Sequence, residues 1–524
     1  MGGCGSAGLT AQIWFEALVV ALPQAQYEFN LTGAHVRFAT FSLYFGLLIG
    51  STFWGLCSDI IGRRPSWNIT LFLSAVFGIA VGASPTFPAM CVLLACQGLG
   101  LGGNLPVDGA VLIECTCCPP KPSADPAVVP GSKQWILTLL SLFWCIGQLF
   151  AALIGWAFIT NYSCDSSDNC PRSSNMGWRY TWFLLGGVVL LMWFIRFFIY
   201  PIPESPKYLL ATKREQEALD TLHFIAKENG KTTSLTLEKL RQVGLGRTID
   251  TTAPPGADEE VAAQDALDKE DKFEKNTATA KVRELVATGS PRRVTSHWFA
   301  SLSPRRIRET YRAMHRSPLS ALFASYKMSL NTILICACWG AIGLSYPLYN
   351  SFISLYLKQV SSDTEVSQSE QYRQLVIIAA CGIPGSLFAT AMVELPYMGR
   401  RGSMAIFTGL TGVFLFLFTT ARTSSSVLGW NCAASLAQNA MYGILYAITY
   451  EVFPAPQRGT GDGLSMSVQR VFGVVSTVVA ITTASEDSSK RQLSTPIYVS
   501  ASFFLLSMVL MLFLPYEPRG LNAL

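Results

Sequence analysis

Asn104 and Asp108 interrupt an otherwise apolar stretch of the chain. Four residues on a helix return to nearly the same face at ~100° per residue, so a helix here would bring an amide and a carboxylate together. If that helix crosses a bilayer, the acid is costly unless it meets a cavity or a partner, and its default chemistry is ion or proton handling. Arg470, in a later apolar stretch, suits a charge-assisted contact to an anionic solute group, or else neutralises Asp108, reaches Glu394 or snorkels to the inner surface. Glu16 reads as an outer-cavity acid or as a residue satisfied by packing. Gln148, Trp339, Tyr346, Tyr349, Asn350, Asn439, Tyr442, Tyr446 and Gln469 add polar tips on apolar bodies. Such a set suits a site for a small polar or organic solute, although each member alone reads as helix packing.

No catalytic constellation accompanies these residues. The histidines His35, His223, His297 and His315 lie outside the apolar stretches and lack metal-ligand spacing. Neither an enzyme, a metal site, a cofactor nor a nucleic-acid partner is expected. The run Gly98-x-Gly100-x-Gly102-Gly103 has no strand before it and lies in an apolar segment, so close helix packing is expected in place of nucleotide binding.

A second pattern concerns charge at segment ends. Gly62-Arg63-Arg64 recurs as Gly399-Arg400-Arg401, and Glu114 recurs as Glu451, at one offset of 337 residues. Internal repeats set architecture, and this one predicts a duplicated membrane unit. Arg63 and Arg64 with Asp59 and Glu114, and Arg400 and Arg401 with Glu451, are expected to latch helices on the cytoplasmic side, with plain positive-inside topology as the alternative. Glu204 and Arg458 belong to the same expected gate. The second copy is imperfect, since Pro396 stands where Asp59 stands in the first.

The elements that must hold these residues follow from composition. Half the chain is hydrophobic and 14% is charged, against roughly 25% in a soluble domain. Runs long enough to cross a ~30 Å hydrocarbon core are read at 3–23, 38–57, 66–84, 88–113, 133–159, 179–200, 328–356, 373–393, 403–420, 427–450, 463–483 and 496–515. They are continuously apolar, not alternating, which favours helices over a barrel. The first run reads as a helix and not as a signal peptide. The expected class is an all-α polytopic membrane protein with twelve transmembrane helices in two six-helix bundles, 1–200 and 328–515, a largely disordered cytoplasmic linker 201–327, and a short tail 516–524. Lys and Arg concentrate in the loops on one side, which by the positive-inside rule places both termini in the cytoplasm. A lipid bilayer is the expected environment and a monomer the expected state. The linker is acidic around Asp258 to Asp271 and basic from Arg292 to Arg316, which reads as a solvated tether or as a segment lying on anionic lipid. Cys164 and Cys170 share an expected outer loop with the sequon at Asn161, so a disulfide beside a glycan is expected there.

Two motifs carry a resemblance. Gly55-x-x-x-Asp59-x-x-Gly62-Arg63-Arg64 resembles the loop signature of the major facilitator superfamily, and Pro203-Glu204-Ser205-Pro206-Lys207-Tyr208-Leu209 is similar to a motif of its sugar-porter-like branch. The segments 102–110 and 451–461 resemble fungal carriers related to synaptic-vesicle glycoproteins and organic-ion transporters. The resemblance implies two six-helix bundles around one central site open alternately to either side, as in repeats related by pseudo-symmetry. It implies a secondary transporter of a sugar, organic ion or carboxylate, with protons as partner. Relatives show an acid where Ala11 stands here, and phosphate carriers show Asp where Asn104 stands, so a phosphate:proton symporter is the weaker expectation. A solute sensor on the same scaffold is the other class left open.

Overall fold

The structure, a computed structural model, describes residues 2–116, 138–164, 170–199, 204–212, 214–228, 230, 235–238, 240, 318–360, 367–393, 399–421, 423–453, 458–483 and 490–515, with Asp108 and Glu114 described as backbone only. Pro396, Glu394, His297, His315 and most of the linker lie outside the described residues. Among the described residues there are twelve long helices: α1 (Gly2–Glu28), α2 (Phe38–Ile61), α3 (Arg63–Ala83), α4 (Phe87–Thr116), α5 (Ser141–Tyr162), α6 (Gly177–Phe194), α7 (Tyr326–Val360), α8 (Gln368–Val393), α9 (Gly399–Phe418), α10 (Ser424–Val452), α11 (Arg458–Thr483) and α12 (Lys490–Leu512). Among the described residues there is no strand.

Helices are the solution that hydrocarbon imposes, because each backbone N–H and C=O must be satisfied within the segment. Ten of these helices are long and apolar enough, by length and composition, to cross a membrane. α1 and α10 are the two that are not; they carry Thr10, Glu16 and Gln24, and Asn431 and Ser435, and bury all five inside the protein. Twelve continuously apolar spans therefore hold in helix number but not in composition. Phe45, Phe53, Phe72, Leu191, Phe198 and Phe388 are exposed, as side chains facing lipid should be.

Packing repeats with the chain. α2 lies along α4 as α8 lies along α10, α1 against α5 as α7 against α11, and α3 against α6 as α9 against α12. The halves meet through α2 with α11 and α5 with α8, which is one relation shifted by six helices. The glycine run serves this packing: a Cβ on Gly98 would lie 2.5 Å from the Leu43 carbonyl oxygen, and one on Gly102 2.4 Å from that of Leu47.

At one end of the first half, Arg179 donates to Glu28 (2.6 Å) and to the carbonyls of Gly82 and Ser84, while Trp178 Nε1 donates to Glu28 (2.8 Å). This buried staple joins α1, α3 and α6. Nearby, Cys164 and Cys170 are disulfide-bonded with Cα atoms 5.9 Å apart, close to the exposed end of α5 where Asn161 sits. Arg196 lies buried in the π-helical turn Ile195–Ile199 with its guanidinium over the Trp67 ring. The aromatic face supplies at that depth what water would supply at the surface.

Candidate functional site

A cavity lies between the halves. Its walls are Ala11, Gln12 and Phe15 of α1, Tyr44 of α2, Trp144 of α5, Ile342, Gly343, Tyr346 and Pro347 of α7, Tyr442 and Tyr446 of α10, and Gln469 and Arg470 of α11. Aromatic rings pack edge to face: Trp144 stands 4.3 Å from Tyr446, and Trp339 behind it 4.5 Å from the same ring. Trp339 is fully buried and donates from Nε1 to Thr449 (3.0 Å). The Arg470 guanidinium lies 5.5 Å from the Phe15 ring and 5.9 Å from that of Tyr44. Among the described residues it has no carboxylate partner. A cation held by ring faces alone keeps its donors for a ligand.

The expected site residues divide accordingly. Tyr346, Tyr442, Tyr446, Gln469 and Arg470 reach the wall. Glu16 does not: it is buried and accepts from Gln148 Nε2 (3.3 Å), so these two satisfy each other. Tyr349 donates its hydroxyl to Asn431, and Asn439 donates to the Ser435 carbonyl (3.0 Å) while packing on Gly382 of α8. Asn350 is half-buried one turn beyond Tyr346. Asn104 is fully buried inside the first half, with no partner for its amide among the described residues and no place on the cavity wall. Gln12, Phe15, Tyr44 and Trp144 escaped the sequence reading; they look like ordinary apolar-segment residues until the helix faces are phased against each other.

The residues expected to form a gate lie where the Gly-Arg-Arg loop meets α11. Gly62 adopts φ +112°, a region that favours glycine, which lets α2 turn sharply into α3. Arg63 pairs with Asp59, donates to Ser58 (3.3 Å) and lies over the Tyr208 ring. Asp59 also accepts from the backbone N–H of Thr460 (2.7 Å) and from its hydroxyl, so an acid of the first half caps the first turn of α11 in the second. Beside it, Thr52 and Ser467 share a hydrogen bond of 2.8 Å, and a Cβ on Gly55 would lie 2.8 Å from the Gly463 Cα. Glu204 accepts from the backbone N–H groups of Arg63 (3.0 Å) and Arg64 (3.3 Å) and thereby caps α3. Burial pushes its carboxyl above the ordinary value, and these N–H donors hold it partly back. Ser205 caps the short helix Pro206–Ala211, whose Tyr208 donates to the Ile60 carbonyl (3.2 Å). Glu114, expected at the same loop, has its side chain outside the described residues.

The second copy differs. Arg400 pairs with Glu451, both buried, but this pair joins α9 to α10 within one half. The expected pairing of Arg400 with Glu451 is thus present. Arg401 donates to the Leu514 carbonyl (2.8 Å), and Arg458 donates from Nε to the Tyr450 carbonyl (2.8 Å). On the far side of the cavity the halves touch again: Tyr372 donates to the Val20 carbonyl (3.1 Å), Trp156 to Ser369 (3.1 Å), and Arg37 to the Ala480 carbonyl.

Two duplicated helical units with a cavity between them and contacts closing both ends define a membrane carrier. Residues 5–392 match the Major Facilitator Superfamily, and the chain belongs to that family. It is 40% identical over 510 residues to the MFS siderochrome iron transporter 1 of Ceriporiopsis subvermispora (strain B), covering 97% of this chain and 84% of that protein. It is 25% identical over 439 residues to the niacin transporter NiaP of Acinetobacter baylyi, covering 83% and 75%. In fold it is similar to the proton:xylose symporter XylE of E. coli, with a TM-score of 0.65 at 15% identity, covering 99% of this chain and 96% of that one. The protein is a multi-pass membrane transporter of small solutes.

Proposed function

We propose that the protein is an alternating-access carrier for a small organic solute with an anionic group, best a planar aromatic carboxylate, coupled to protons and acting as a monomer with both termini cytoplasmic. The observation that carries this is Arg470, set among ring faces on the cavity wall with no described acid beside it. A carboxylate would meet the guanidinium, and a flat ring would stack between Trp144, Tyr442 and Tyr446. The niacin transporter among the relatives is in keeping with that chemistry. Rocking of residues 1–200 against 328–515 would expose the cavity to either side.

Asp108, on the face of α4 shared with Asn104, is the first candidate for proton coupling, and Asp108→Asn would uncouple flux from a pH gradient. An iron chelate is the second reading, favoured by the 40% identical relative. A thermal-shift screen of purified protein with nicotinate, benzoate, carnitine, xylose, a ferric hydroxamate and phosphate tests both. Stabilisation by nicotinate or benzoate that Arg470→Ala abolishes is expected, with none from phosphate. A hydroxamate shift indifferent to Arg470 would replace the proposal, and stabilisation without flux in proteoliposomes would favour a sensor.

A further inference from the structure

We infer that Asp462 is a proton-binding residue on the path between the central cavity and the gate. This rests on the proton-coupled reading above and adds a residue to it. Asp462 is fully buried in the second turn of α11, and neither carboxylate oxygen has a hydrogen-bond partner among the described residues. An acid inside a membrane segment with no donor to hold it is costly, and such residues mark proton and ion pathways.

Helix geometry gives its direction. Gln469 follows after seven residues, two turns on and about 20° from the same face at ~100° per residue, with Arg470 about 80° round the helix from Asp462, and both line the cavity. Gly473 continues that face, against Tyr44 of the cavity wall. The flanking faces are occupied: Gly463 and Ser467 turn to α2, and Ser465 turns to Cys336 of α7. Asp462 therefore looks along the axis between the halves, roughly 12 Å from the level of Arg470 at ~1.5 Å per residue. Thr460, held by Asp59, lies just beyond it at the gate.

The groups around it are few. α2 brings Asp59, paired with Arg63 of α3, on the gate side and Tyr44 on the cavity side. α7 brings Cys336, α10 brings Tyr446, which is within electrostatic reach, and Tyr450, and α11 itself carries Arg458 and Arg470. The described side chains of α4 bring no charge. With the gate closed, the neutral acid is the form that this donor-free position holds at least cost. When α11 parts from α2 and the Thr460 contacts to Asp59 break, water reaches the carboxyl. The O–H bond then breaks, the proton leaves as hydronium, and the carboxylate remains.

Infrared difference spectroscopy of the purified full-length protein across a pH titration tests this without any substrate. The expected result is a protonated-carboxyl C=O band persisting to neutral pH, lost in Asp462→Asn, shifted in Asp462→Glu and retained in Asp108→Asn. The glutamate variant keeps the test open if the asparagine variant does not fold. A band unchanged in both Asp462 variants overturns the inference, as does a band that follows sodium at fixed pH. In proteoliposomes, nicotinate accumulation driven by a pH gradient is expected to be lost in Asp462→Asn while exchange at equal pH remains. Absence of nicotinate flux with the band still lost in Asp462→Asn would count against the carrier reading and leave the proton site standing.

Discussion

At the scale of residues, what the cavity chooses depends on one charge among rings. A charge-assisted hydrogen bond contributes about 1.5–3 kcal/mol, so Arg470→Ala is expected to weaken carboxylate binding by roughly ten- to a hundredfold. Arg470→Lys would recover only part of this, because a point charge lacks the planar fork that matches a carboxylate. Isothermal titration with nicotinate measures both. Glu204 makes a prediction with a sign. Its folded carboxyl binds the proton more tightly than an unfolded one of ordinary value 4.5, since burial outweighs the N–H donors. Folding therefore takes up protons here, and this residue's share of stability is present at low pH and lost as pH rises above 4.5 through the folded value. Melting curves across that interval should fall less steeply in Glu204→Gln. The sequence reading found Tyr346, Tyr442, Tyr446, Gln469 and Arg470 because polar tips stand out in apolar runs. It missed Gln12, Tyr44 and Asp462, since only the rotation of each helix against its neighbours says which side chains face inward.

At the scale of elements, the Gly-Arg-Arg repeat and its acid partners Asp59 and Glu451 were legible, and the reach of Asp59 to the second half was not. Both glycines take a positive φ, +112° at Gly62 and +57° at Gly399, which is why the same turn could be read twice in the sequence. The contacts diverge because Asp59 reaches Thr460, 401 residues away, while Arg400 finds Glu451 inside its own half. The common offset foretold Arg400 with Glu451, but no spacing rule in one chain foretells the contact of Asp59 with Thr460. The Glu28–Arg179 staple was equally hidden, its members lying near the ends of α1 and in α6. Removing one partner of a buried ion pair costs about 3–5 kcal/mol. Glu28→Ala should therefore lower the melting temperature markedly in a detergent thermal-stability assay, with Glu28→Gln intermediate because it keeps an acceptor for Trp178. A wild-type melt in Glu28→Ala would mean that the staple does not hold these three helices.

At the scale of the whole molecule, the duplicated packing makes a machine with two faces closing one cavity. The α2–α11 face carries the Asp59–Thr460 contact and the Gly55–Gly463 approach, and the α5–α8 face repeats the relation around the same axis. Small residues allow the helices to close tightly, and polar contacts at their ends can be broken and remade as the halves move. Helix number and the doubled plan were legible because apolar runs and a fixed offset are properties of sequence. The cargo was not, because it depends on how few side chains converge.

The central claim is that solute passes only when the α2–α11 face opens. Counterflow of radiolabelled nicotinate in proteoliposomes bearing Thr52→Cys and Ser467→Cys, at positions whose side chains share a 2.8 Å hydrogen bond, tests it most directly. Oxidation should join the two helices and stop counterflow, and reduction should restore it. Counterflow that continues through fully cross-linked protein would contradict the account.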